Sequence, residues 1–230
     1  MFYKDWEPIY RKITKDFNFP ERNEKKAANV LEKLLQHKNL FPLKNLENLI
    51  ADREVFIFGA GPSLETALIK HKKDFSNKLK IAADGATTAL LKYNVQPDII
   101  VTDLDGKVID QIKANSQGSI AIIHAHGDNI TRIKKYVPEF KDRIVGTIQI
   151  DPKPYKNVYN FGGFTDGDRA VFLAHHFHAK KISLLGFDFN DKIGKYSFSK
   201  DKNLKLKKLK WCKYLIEQLT KLNQNVFYLL

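Results

Sequence analysis

From residue 54 onward the chain alternates between short, unbroken apolar runs and longer stretches with helical spacing. The runs lie at residues 55–58, 80–83, 99–102, 120–123, 144–148 and 181–186. Each is too short for a globular helix and too continuous for a half-exposed strand, as expected of strands buried on both faces of a parallel sheet. Helical stretches at 63–70, 87–93 and 166–178 lie between them, so the pattern predicts a doubly wound α/β fold with a mostly parallel sheet. A long basic helix over 204–222 and a last strand over 225–229 close it.

The first fifty residues read differently. Trp6, Ile9, Tyr10 and Ile13 fall at i, i+3, i+4 and i+7, the spacing of one buried helix face. Ala27, Val30, Leu31, Leu34 and Leu35 repeat the spacing, and Asn18-Phe19-Pro20 breaks the two segments. No strand signal interrupts them. The expected organisation is a helical appendage over 1–50 and an α/β domain over 51–230.

Composition narrows the class. A chain of 230 residues suits one α/β domain with an appendage, or at most two small domains. No apolar run approaches the ~20 residues needed to span a bilayer, and residues 1–8 lack a signal-peptide core. A cytoplasmic protein that does not engage membranes is expected. Cys212 is the only cysteine, which excludes intramolecular disulfides and Cys-based zinc sites. The net charge of +13 steers anions, nucleotides and nucleic acids alike. Much of it crowds into residues 200–213, at Lys202, Lys205, Lys207, Lys208 and Lys210. That run reads first as a solvated helix face and second as an aid to anion capture. Apart from Trp211 it lacks the aromatic interleaving of single-strand binders, so nucleic acid is not the expected partner.

Candidate chemistry sits where the apolar runs end. One run ends in Asp84-Gly85 and another in Asp103-Leu104-Asp105-Gly106. In a parallel sheet these carboxylates meet at the carboxyl edge, where open α/β sheets bind ligands. Residues i and i+2 of extended backbone project to one side, so Asp103 and Asp105 could engage one metal. Clustered carboxylates repel unless a cation compensates them, and hard oxygen donors point to Mg²⁺ with a phosphorylated substrate. The plainer reading makes one of the pair, or Asp84, a helix cap. One cap explains only half of the pair. Asp98 opens its run, lies at the opposite edge and reads as structural.

Gly59-Ala60-Gly61-Pro62-Ser63 joins a strand to a helix, and a glycine-rich turn of that kind lets backbone approach a phosphate. It lacks both the third glycine of a dinucleotide fingerprint and the Lys-Ser/Thr of a Walker loop. Gly59, Gly61 and Ser63 are its candidate nucleotide contacts; a turn with no ligand is the alternative. His124 and His126 follow another run, without an evident third ligand for a transition metal, and fit phosphate contact better. Asp128 or Asn129 would cap the next helix. In Phe161-Gly162-Gly163-Phe164-Thr165-Asp166-Gly167-Asp168, the glycines would let a loop fold over a ligand, and Thr165 is a plausible cap. A capped helix start with no ligand explains the same residues. His175, His176 and His178 read as surface or helix-end histidines.

The motifs from Gly59 to Ser63, Ala83-Asp84-Gly85-Ala86, Pro97-Asp98 with Thr102 to Gly106, His124 to Asn129, and Asn160 to Arg169 occur in this order. As a set they resemble the archaeal 6-hydroxymethyl-7,8-dihydropterin diphosphokinases, a family that looks related to the thiamin diphosphokinases. The resemblance spans roughly residues 50–190. It implies a Rossmann-like domain akin to the thiamin diphosphokinase catalytic domain. It also implies Mg²⁺-dependent transfer of diphosphate from ATP to the pterin alcohol, giving AMP, in folate or tetrahydromethanopterin biosynthesis. Asp84, Asp103 and Asp105 would be the catalytic metal ligands. Asp128, which matches an acidic position of the thiamin enzymes, would join Gly59, Gly61, Ser63, His124 and His126 around the nucleotide. A flat pterin rich in donors and acceptors suits an aromatic wall with a carboxylate on its edge. Phe161 or Phe164 with Asp166 or Asp168, on the loop of Gly163 and Thr165, fits that need, and Asp188 is a second edge reader.

The residues alone reach only a Mg²⁺-dependent enzyme acting on a nucleoside polyphosphate. A thiamin diphosphokinase, a nucleotide-sugar glycosyltransferase using the D-x-D carboxylates, and a nucleic-acid-binding module stay open. AMP release, nucleoside diphosphate release and salt-dependent binding without turnover distinguish them. A homodimer is also left open.

Overall fold

The computed structural model describes residues 3–190, 192–198 and 201–229. Met1 and Phe2 of the expected appendage, and Lys200 of the basic run, lie outside the described residues. Nine strands form one sheet among the described residues: β1 (Asn39–Leu40), β2 (Glu54–Phe58), β3 (Leu79–Ala83), β4 (Ile99–Thr102), β5 (Ile120–Ala125), β6 (Asp142–Ile148), β7 (Val158–Tyr159), β8 (Lys181–Leu185) and β9 (Val226–Tyr228). The helices are α1 (Tyr3–Phe17), α2 (Glu21–Leu35), α3 (Leu43–Ile50), α4 (Leu64–Lys70), α5 (Lys72–Phe75), α6 (Ala86–Lys92), α7 (Val108–Ser116), α8 (Ile130–Tyr136), α9 (Asp166–His176) and α10 (Lys202–Asn223).

All strand pairings are parallel, in the order β1-β6-β5-β4-β3-β2-β8-β9, with β7 also on β6. The fold is the α/β, Rossmann-like class the alternation predicts. Strand faces divide the core in two. Val55 and Ile57 of β2 join Trp6, Ile13, Leu31 and Phe172 in the larger cluster. Phe56 and Phe58 face the other way, onto Leu64, Leu68, Phe75 and Leu90. Burial on both faces is why these strands carry no polar alternation.

Two strands have no counterpart in the sequence pattern. Each of β1 and β7 is two residues long and pairs with β6, too short to leave an apolar run. The first fifty residues therefore contribute a strand as well as helices. Trp6 donates Nε1–H to the Gln149 carbonyl at 3.3 Å and meets Phe172 of α9 edge-on at 5.8 Å, which docks α1 onto the sheet layer. Among the described residues no helix is long and apolar enough to cross a membrane.

Candidate active site

From β2 the chain steps outward strand by strand to β6, then returns to place β8 on the other side of β2. The β2–β8 junction is thus a topological switch point, where the strand-end loops leave a crevice. Here the two loops meet backbone to backbone. Gly59 N–H donates to Leu185 O and Gly61 N–H to Gly186 O, both at 2.9 Å. A Cβ on Gly59 would stand 2.7 Å from Gly186 O, and Gly186 itself has φ +71°. Glycine is required on both sides of this contact.

Ser63 and Asp188 turn out to bind each other. Asp188 Oδ2 accepts from Ser63 N–H at 3.0 Å and from Ser63 Oγ at 2.8 Å, capping α4. The Ser63 N–H is therefore not a free phosphate donor, and this oxygen of Asp188 is not free for a ligand. Gly59, Gly61 and Asp188 do line the cavity at the switch point; Ser63 does not.

Four carboxylates converge beside this crevice. Oxygens of Asp84, Asp103, Asp105 and Asp166 all lie within 4.8 Å of one another. Asp84 ends β3 at φ +41°, and its Oδ1 accepts from Thr102 Oγ1 and Gln111 Nε2, each at 2.8 Å. Asp103 and Asp105 do not converge through the pleat, as extended backbone would have it. Leu104 between them has φ +66° and donates its N–H to Thr102 Oγ1 at 2.8 Å. A left-handed leucine is a strained residue, and its buried side chain holds the turn in place. Asp166, assigned from sequence to the substrate edge, is the fourth member. Its Oδ1 takes Arg169 Nη1 at 3.1 Å.

The four differ in charge. Burial resists ionisation of Asp103, but the His126 hydrogen bond and the charges of Arg169 and Lys208 outweigh it and hold the carboxyl well below the usual range. Burial and then the Asp103 charge push Asp84 up. The same two causes raise Asp166 well above the ordinary value, against Arg169. Asp105 is pushed up to about 8 by crowding out of water, Asp103 and Asp84. Asp105 is nevertheless solvent-exposed as a residue, so water tempers that rise.

Of the two histidines, His126 touches this cluster and His124 does not. His126 Nδ1 accepts the Asp128 N–H at 3.3 Å, which leaves Nε2 to donate to Asp103 Oδ2 at 3.2 Å. His124 is 2% exposed, bonded through Nδ1 to Thr147 Oγ1 at 3.1 Å, and kept neutral by burial and the Arg169 charge. Neither histidine lines the cavity, nor does the exposed Asp128. Asn129, entirely buried, ties the ends of β4 and β5 by donating to Asp103 O and His124 O at 2.8 Å each.

The 161–169 loop divides along the same line. Phe161 packs on Tyr159, His176 and Phe177, away from the cavity. Gly163, at φ +90°, folds against the Arg169 backbone. Asp168, with no exposed surface, accepts from Phe164 N–H, Thr165 N–H and Thr165 Oγ1, and so is consumed in starting α9. Phe164, Thr165 and Asp166 do line the cavity. Its remaining aromatic lining is Phe187 and Phe189, which flank Asp188, with Tyr196 and Phe198, and its cations are Lys192, Lys205 and Lys208. The basic run is thus not wholly a solvated face. Lys205, Lys208, Leu209 and Cys212 line the cavity at i, i+3, i+4 and i+7, a spacing readable in the sequence.

A family model described as 6-hydroxymethylpterin diphosphokinase MptE-like matches residues 28–194. The chain is 46% identical over 232 residues to the 6-hydroxymethyl-7,8-dihydropterin pyrophosphokinase of Methanocaldococcus jannaschii, covering 95% of this chain and 96% of that one. It is 44% identical to the Pyrococcus furiosus protein of that name, covering 95% and 94%. For the Methanothermobacter thermautotrophicus protein the values are 42%, 84% and 81%. A solved MAf glycosyltransferase from Magnetospirillum magneticum AMB-1 overlaps 74% of this chain and 30% of its own, at 16% identity and a TM-score of 0.38. A likeness that loose supports no argument for sugar transfer.

Proposed function

The chain belongs to the 6-hydroxymethylpterin diphosphokinase MptE-like family, and we propose that it transfers diphosphate from ATP to 6-hydroxymethyl-7,8-dihydropterin at the β2–β8 switch point. The observation that carries this reading is the quartet of Asp84, Asp103, Asp105 and Asp166, with oxygens within 4.8 Å, facing a cavity edged by lysines. Four hard oxygen donors, their carboxyls at Asp84, Asp105 and Asp166 raised first by burial and then by one another's charge, fit Mg²⁺. When bound, Mg²⁺ supplies the charge neutralisation that polyphosphate chemistry needs.

The chain's own residues bind and orient. The hydroxymethyl oxygen attacks the β-phosphorus, its proton passes to water, the bond from that phosphorus to the oxygen bridging the α-phosphate breaks, and AMP leaves. Lys192, Lys205 and Lys208 draw the polyphosphate to the carboxylates, and Gly59 and Gly61 give it backbone access. Phe164, Phe187 and Phe189 provide the apolar wall for a flat ring system. His126 and Asn129 hold Asp103, Thr102 and Gln111 hold Asp84, and Arg169 holds Asp166. Catalysis of this kind is mainly positioning and electrostatics.

The test is AMP formation from ATP and Mg²⁺ with 6-hydroxymethyl-7,8-dihydropterin and, separately, thiamin. AMP with the pterin alone is expected. AMP with thiamin alone would move the protein to the related class, and no AMP with either would sink the reading.

A further inference from the structure

Helix α10 presents adjacent stripes to two parts of the molecule. Lys205 and Lys208 stand on the stripe that lines the cavity. Lys207 and Trp211, four residues apart on the next stripe, close on Asp16 near the end of α1. Trp211 Nε1–H donates to Asp16 Oδ2 at 2.7 Å. Lys207 Nζ lies 2.9 Å from Oδ1 and donates to the Asp16 carbonyl at 2.5 Å. The same ammonium sits 4.4 Å from the centroid of the Phe17 ring, and Phe17 packs at 5.1 Å on Phe164 in the cavity wall.

Buried Cys212, Leu215, Ile216 and Leu219 fix the C-terminal half of α10 in the core, and one carboxylate receiving two side chains a helical turn apart constrains the rotation and height of its N-terminal half. A slip of one residue turns a helix by about 100°, which would carry Lys205 and Lys208 off the cavity. Asp16 is exposed, so its ion pair contributes little to global stability. Its effect falls on the orientation of α10.

We infer that Asp16 is a positioning residue for phosphate capture: it locks α10 in the rotation that directs Lys205 and Lys208 to the polyphosphate. The inference rests on the reading of the cavity as a Mg²⁺–polyphosphate site. It goes beyond it by giving the helical N-terminal segment a part in substrate binding.

The experiment is calorimetric titration of the full chain with inorganic triphosphate and Mg²⁺ at low salt. It compares wild type, Asp16→Asn, the Lys205→Gln/Lys208→Gln pair and the triple variant. Asp16→Asn should weaken binding about 3- to 10-fold, the range of coupling between linked side chains, with an unchanged melting temperature. The triple variant should bind no more weakly than the lysine pair, because Asp16 acts through those lysines. In the diphosphokinase assay the KM for ATP should rise by the same factor while kcat holds. Unchanged affinity in Asp16→Asn, or losses that multiply in the triple variant, would overturn the inference. Should Asp16→Asn fold poorly, Trp211→Phe removes one donor while keeping the ring, and the same two outcomes decide. A wild type that binds no triphosphate would remove the polyphosphate reading itself, and the inference with it.

Discussion

Arg169 Nη1 stands 3.1 Å from Asp166 Oδ1, a guanidinium of 7% exposure set against the fourth carboxylate of the cluster. Its other end reaches Gln149 Oε1 at 3.4 Å, and Gln149 Nε2 donates to Glu24 of α2 at 2.8 Å. Arg169 is also the buried cation that helps hold Asp103 ionised, and removing it leaves that charge undercompensated, at about 3–5 kcal/mol. Arg169→Met should lower the melting temperature of the metal-free protein by on the order of 10 °C, taking about 2–4 °C per kcal/mol. Mg²⁺ should recover more of the loss than it adds to wild type. Scanning calorimetry with and without Mg²⁺ checks this; equal Mg²⁺ shifts in both proteins would show that Arg169 does not compensate the cluster.

Asp103→Asn and Asp105→Asn should each reduce turnover by at least roughly 100-fold, the scale of a lost electrostatic contact in a transition state. Their stabilities should diverge. Asp103 is ionised and bonded to His126, so its amide variant gains nothing in the folded state. Asp105→Asn relieves repulsion and should melt higher. Steady-state rates and melting curves of the two variants suffice, and full activity in either removes that residue from the metal site.

The raised carboxyl of Asp105 gives a pH signature. Its ordinary value is 3.8 and its folded value about 8. Below pH ~4 both states are protonated and nothing changes. Between the two values only the unfolded chain ionises, so the folded state binds more protons and stability falls as pH rises. The loss is complete above pH 8. Asp103 has the opposite sign: its contribution is present above its ordinary value and disappears in acid. Metal-free wild type should therefore lose melting temperature between pH 5 and 8 relative to Asp105→Asn, by a few degrees once solvent screening at this exposed residue is allowed for. Mg²⁺ should flatten the difference. Parallel pH curves without metal would contradict the crowding.

Activity should need a divalent cation, with Mg²⁺ sufficient and zinc-selective chelators harmless. The convergent group found among the described residues is all carboxylate, and His126 already serves Asp103. Loss of activity to such a chelator, restored only by zinc, would contradict this assignment.

Lys205→Gln with Lys208→Gln should raise the KM for ATP chiefly at low salt, since exposed charges are screened within ~8 Å at physiological ionic strength. Turnover at saturating ATP should stay within about threefold, short of the ~1.4 kcal/mol that a tenfold change represents. KM measured across a salt series decides, and a salt-independent effect would place a lysine in direct contact with the transferring groups.

Strand positions, and hence the carboxylates of Asp84, Asp103 and Asp105 at one sheet edge, were legible because they depend on local periodicity. A run of buried residues ends where the strand ends, whatever it pairs with. The same local signals located α9 and α10 to within two residues. Partners distant in sequence were not legible. Ser63 and Asp188 are 125 residues apart, so nothing in either motif says that the pair satisfies itself. Phe161 and Phe164 look equivalent in sequence, yet only Phe164 faces the cavity, because the turn at Gly162 and Gly163 splits them between core and site. Asp166 came to the carboxylate cluster, and Asp168 to the cap of the helix, through their places on the first turn of α9. The sequence by itself determined which elements form and which edge carries the acids. Tertiary packing alone decided which side chains meet there, because periodicity records burial but not the partner that buries it.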